Sequence, residues 1–150
     1  MDYADCKREM VETIEAYLIC LDQNLRMLNL LQVYEVLTIE QEKNLSKKTK
    51  QIRKTVNALK KRLEFKKDTN YLYICINEIL EVFLEVKNNE EELIDILETK
   101  AQFPHATSTK LFIEYCICEL GIRMFMGFKD RRRFILLGYK LYDKIEGIKS

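Results

Sequence analysis

Chemistry that needs an imidazole has one candidate in this chain, His105, which stands beside the only proline, Pro104, in a stretch that reads as a loop. A histidine-based triad or metal cluster therefore has almost no material. Cys116 and Cys118 lie two positions apart on a helical stretch, which turns them to different faces. Zinc-binding pairs keep roughly two to four residues between them, so two small core side chains are the expected reading. Glu78, Glu81 and Glu85 step along one stretch at helical spacing. Catalytic carboxylate pairs need a pocket that raises one pKa, and nothing in the surrounding residues announces one. A solvated acidic face is expected there. No glycine-rich phosphate loop or dinucleotide fingerprint occurs. The expectation is a protein that is not an enzyme, with no catalytic residue, no cofactor and no metal.

Charge is the stronger signal. The net charge is only +1, yet residues 43–67 carry eleven Lys or Arg against one acid, Glu64. Residues 78–98 carry eight acids against Lys87 alone, and Lys129, Arg131, Arg132 and Arg133 form a second basic block. Segregated charge speaks to partners and steering more than to fold. Lys50, Arg53, Lys54, Lys60, Lys61 and Arg62 make a candidate patch for nucleic-acid phosphates or an acidic protein. No aromatic residue interleaves with the patch, which weakens the case for stacking on single strands. Around the second block, Phe125, Phe128 and Phe134 add apolar anchors that suit an acidic peptide with a bulky side chain.

These residues need a scaffold, and the sequence predicts an all-helical one. All four glycines lie at or after Gly121, so the first 120 residues lack the turn formers of a β-rich fold. The length suits one domain whose core needs no disulfides. Five cysteines, an odd number set in apolar runs, point to a reducing compartment. No signal peptide is expected after Asp2, Asp5 and Glu9, and no apolar run reaches the roughly 18 residues of a membrane span. A soluble monomer without a membrane partner follows as the expectation.

Helical spacing predicts a helix over about 6–21, a break at Asp22 and Asn24, and a second helix over about 25–37. Thr38 with Gln41 reads as a capping box opening a short helix closed by Asn44, Ser46 and the lysines. From Thr49, the stripe Ile52, Val56, Leu59 and Leu63 marks a surface helix, and 71–86 a central one wrapped by apolar residues. A turn at Asn88 and Asn89 then leads to an acidic helix over 90–98, and helices over about 111–128 and 131–145 follow Pro104. The total is seven or eight helices, in a single compact bundle or right-handed stack spanning 1–150, with N-terminal helices over 9–100 and a C-terminal helix pair over 107–148.

The stretch Leu120-Gly121-Ile122-Arg123-Met124-Phe125-Met126-Gly127-Phe128-Lys129, followed by Leu137-Gly138-Tyr139-Lys140-Leu141, resembles the helical domain of transcription elongation factors of the TFIIS N-terminal and Iws type. Ile145 stands where that family has Trp, Cys118-Glu119 where it has Ser-Gly, and Gly138 where it has Ala. The resemblance implies a nuclear, non-catalytic module that docks a short segment of a partner such as an Spt-six-like elongation factor. Met124, Phe128, Lys129, Arg131, Arg133 and Lys140 would hold it. A second likeness, from Leu37-Thr38 through Glu42, Thr49, Leu59, Tyr71 and Leu80, is to caspase-recruitment domains of the death fold. That one implies a cytoplasmic adaptor assembling through complementary charge.

Overall fold

The computed structural model describes residues 3–65 and 69–123, together with residue 136. The described part is all-helical, without strands, and holds four helices where the sequence suggested seven or eight for the whole chain. They are α1 (Tyr3–Val33), α2 (Ile39–Phe65) and α3 (Thr69–Ala101), then α4 over residues 107–123. At 1.5 Å per residue the first three are about 45, 40 and 50 Å long.

The count falls because three expected breaks are not breaks. α1 runs through Asp22 and Asn24, α2 through Ser46 and Thr49, α3 through Asn88 and Asn89. Asn, Asp, Ser and Thr favour caps because their side chains compete for nearby backbone groups. Here those side chains are engaged elsewhere. Asp22 accepts from Arg53 at 2.7 Å and Asn89 donates to Thr49 at 3.0 Å. Ser46 donates to Glu42 at 2.8 Å, one turn back in its own helix. Tertiary and intrahelical partners outweigh the local preference.

Each helix buries a seam that repeats every seven residues. In α1 it is Met10, Ile14, Tyr17, Leu21, Asn24, Leu28 and Leu31; in α2, Leu45, Thr49, Ile52, Val56, Leu59 and Leu63. In α3 it runs Leu72, Ile76, Ile79, Phe83, Val86, Glu90, Leu93 and Leu97, and in α4 Ile113, Cys116, Leu120 and Arg123. Alternating steps of three and four keep one seam on the partner helices. Cross-links set the directions. Pairs 22–53 and 15–60 run α1 against α2, and pairs 48–92 and 62–78 run α2 against α3. Tyr34–Phe112 and Asn24–Arg123 run α4 against α1. The result is an up-down-up-down bundle.

The core has two parts. Met10, Ile14, Leu21, Val56, Leu59, Leu63, Leu72 and Ile79 lead a three-helix cluster of α1, α2 and α3. Leu28, Leu31, Leu37, Leu93, Leu97, Ile113 and Leu120 lead the other, where α4 replaces most of α2. Burying each such side chain stabilises the fold by about 1.5–3 kcal/mol. The α1–α2 corner belongs to the second cluster through Val36 and Leu37. Val36 N–H bonds Leu31 C=O and Glu35 N–H bonds Gln32 C=O, with Glu35 at φ 60° in the left-handed region. That is a Schellman cap with a glutamate in the glycine seat. Thr38 and Gln41 then exchange 3.1 Å bonds as the expected capping box, which opens a helix reaching Phe65.

Candidate interaction surface

α2 carries the first basic block on two different surfaces. On its flanks, Arg53 bonds Asp22 of α1 at 2.7 Å, and Lys60 lies 3.3 Å from Glu15 of α1. On the other side, Lys48 meets Glu92 of α3 at 2.9 Å and Arg62 meets Glu78 at 3.0 Å. These four cations serve as clamps between helices. Exposed pairs of this kind contribute about 0–1 kcal/mol each, so they set orientation more than stability.

The outward surface is different. Lys43, Lys47, Lys50, Lys54 and Lys61 are spaced four, three, four and seven residues apart and are all exposed. None forms an ion pair with a described residue. At 3.6 residues per turn they fall within about 60° of the helical circumference and cover about 27 Å of its length. Widened to about 80°, the arc also holds Asn57 and, at its two ends, Ile39 and Phe65, while the exposed Glu40 and Glu64 lie about 20° beyond its edges. We refer to this surface as the α2 crest.

Of the six sequence-predicted patch residues, the fold therefore brings Lys50, Lys54 and Lys61 together and diverts Arg53, Lys60 and Arg62 to neighbouring helices. Sequence reasoning left out Lys43, Lys47 and Ile39, because it placed a helix boundary between Asn44 and Thr49, and it left out Phe65, which follows the apolar stripe that ends at Leu63. Met124, Phe128, Lys129, Arg131, Arg133 and Lys140, the residues expected to hold a partner peptide, lie outside the described residues.

Two shallow grooves lie along the α2–α3 seam. One of about 350 Å³ is lined by Lys48, Gln51, Ile52, Thr55, Glu85, Asn88, Asn89 and Glu92. The other, about 550 Å³, lies toward the start of α2 between Gln41, Asn44, Lys47 and Ile96. The Lys48–Glu92 pair borders both. Their walls are amides, aliphatic stems and charges that reach solvent.

The remaining titratable centre is internal. At one height of the bundle, Asn24 Nδ2 donates to Glu90 Oε1 at 3.4 Å, and Arg123 donates to Asn24 Oδ1. Beside them Asn89 Nδ2 donates to Thr49 Oγ1, which donates to Leu45 C=O at 2.9 Å. Glu90 is 3% exposed, and burial pushes its carboxyl up to about 7 against the opposing pull of Asn24 and Arg123. It lines neither groove. This polar belt links all four helices and divides the two apolar clusters.

His105 is exposed, and its Nε2 lies 2.8 Å from Lys100 C=O, where it caps the last turn of α3. Cys116 is buried and Cys118 exposed, the opposite orientations their spacing predicts. Burial pushes the Cys116 thiol up to about 11, away from the range of a reactive thiolate. Glu81 and Glu85 are exposed on α3, whereas Glu78 is drawn to Arg62. No family model, curated protein or solved structure matches the chain.

Proposed function

We propose that this protein is a non-catalytic binding module, a rigid helical bundle that presents the α2 crest to a polyanionic partner. One observation carries the reading: five exposed lysines share a narrow arc with no acid among them and no described ion-pair partner. Other cations of the same helix are matched to acids of α1 and α3. An unbalanced row of like charge costs some self-repulsion, and it steers and holds a partner of opposite sign. The nearby grooves are open to solvent, with mixed polar and apolar walls and no nucleophile–base pair, which favours binding over chemistry. Docking of an elongation-factor peptide by Met124, Phe128 and the C-terminal basic residues draws on no described contact, so the crest is the better-supported surface.

The test is charge reversal on the two surfaces separately. Lys50→Glu, Lys54→Glu and Lys61→Glu together should abolish retention on an immobilised polyanion such as heparin, with thermal stability within about 0.5 kcal/mol of the parent. Reversal at Arg53 should do the opposite, loosening the fold slightly while the crest still binds. Equal retention of the crest variant and the parent would refute the reading.

A second reading draws on α3, which exposes Glu81, Glu85, Asp95 and Glu98. These acids complement the crest, so copies of the chain could pair through charge, as a death-fold adaptor would. Light scattering at low salt separates the two. A strict monomer supports an external partner, and salt-reversible growth supports self-assembly.

A further inference from the structure

We propose that the α2 crest is a peripheral membrane contact, lying flat on an anionic lipid surface with Ile39 and Phe65 entering the interfacial layer at its two ends. This names the partner of the crest and rests on the reading of that crest as a binding face.

The ends of the arc supply the first argument. Phe65 and Ile39 are 82% and 72% exposed, the two most exposed large apolar side chains among the described residues. Both fall on the lysine arc, separated by 26 positions or about 39 Å of helix. Between them the lysines can lay their aliphatic stems along the surface and direct their ammonium groups to lipid phosphates and carboxylates. Basic side chains beside large apolar ones on one helical face are the pattern of interfacial helices.

Shape supplies the second. The crest is a straight ridge, and a planar array of anionic headgroups reaches every lysine of it at once. A duplex would have to admit α2 into a major groove about 12 Å wide. That is blocked, because α1 and α3 clamp both flanks through Asp22, Glu15, Glu92 and Glu78. Extended single strands need stacking platforms, and Phe65 is the sole aromatic residue of α2. Protein interfaces place their apolar anchors at the centre and charge at the rim. The crest has the reverse order.

Electrostatics supplies the third. Acids of α1 and α3 that flank α2 would repel an anionic surface if left free. Asp22, Glu15, Glu78 and Glu92 are each drawn into an ion pair with a flank cation, and although Glu40 and Glu64 of α2 and Glu85 of α3 stay exposed, the five crest lysines outnumber them on that side. The expectation of no membrane partner rests on the lack of an apolar run of spanning length, and no helix of the described residues is long and apolar enough to cross a membrane. A surface contact needs no span.

The chain contains no tryptophan, so Phe65→Trp places a single reporter at one end of the crest. The full-length protein should co-sediment with phosphatidylcholine vesicles containing about one third phosphatidylserine and stay in solution with phosphatidylcholine alone. Binding should weaken about fivefold for each crest lysine changed to Gln and weaken further as salt rises. The Phe65→Trp emission should shift to the blue on the phosphatidylserine vesicles and be quenched by brominated lipid. A circular dichroism melt of each variant establishes that the fold is kept. Retention on heparin or RNA without vesicle binding would overturn the membrane contact and leave the binding-module reading standing. Vesicle binding with no change in emission, or insensitive to the lysine substitutions, also overturns it. Crest variants that alter no binding to any polyanion remove both proposals.

Discussion

Glu90 sits at a buried seam position where every neighbouring turn supplies an aliphatic side chain. Desolvation raises its carboxyl from about 4.5 to about 7, while Asn24 and Arg123 pull the other way without cancelling the effect. A raised folded-state pKa means that the native protein holds this proton more tightly than the unfolded chain. The associated stability is fully present below about pH 4.5 and is lost as pH climbs through 7. Glu90→Gln keeps an acceptor for Asn24 and removes the titration. Its gain over the parent should be near zero at about pH 4 and reach about 2–3 kcal/mol at about pH 8, read from urea midpoints at the two pH values. A gain that does not vary with pH would show that folding leaves the pKa of this carboxyl unchanged. Nothing in the sequence singles Glu90 out from Glu91 and Glu92 beside it, because only the heptad phase of α3 decides which of the three turns inward.

At the scale of the helix, the sequence was most readable where one apolar stripe has polar neighbours on all other sides. Val56, Leu59 and Leu63 are buried with Ile52 packed against them, as the spacing requires. The Thr38–Gln41 box was equally plain, since both halves of its reciprocal bond are local. The end of α1 was hidden for the converse reason. A Schellman cap announces itself by glycine, and here Glu35 takes the left-handed seat. An L side chain pays roughly 1 kcal/mol there. Glu35→Gly should therefore raise stability by about that amount, despite the usual entropic cost of glycine, and the guanidinium unfolding midpoint checks it. A loss of stability would mean that the Glu35 side chain makes a compensating contact. The candidate surface was half legible for a related reason. Clustered lysines are visible in any reading, but which of them face outward depends on α2 being one continuous helix.

Across the whole bundle, the misplaced breaks fall at a single height. Asn24, Thr49 and Glu90 each occupy one seam position in an otherwise apolar repeat, and Arg123 joins them from α4. The fold sets these polar groups against one another, so what looks like three helix ends in the sequence is one layer in space. Such a layer constrains register. Sliding any helix by one turn, about 5.4 Å, would press Glu90 or Asn24 into an apolar cluster with no hydrogen-bond partner. Apolar seams alone distinguish adjacent heptads poorly, whereas a single buried polar position fixes alignment at some expense in stability. Replacing the set together, Asn24→Leu with Glu90→Leu and Arg123→Met, should raise the thermal midpoint while broadening amide resonances and increasing dye binding, as alternative registers become populated. A variant that melts higher and keeps sharp, single resonances would show that side-chain shape in the two apolar clusters already selects the alignment, and that the belt serves some other end.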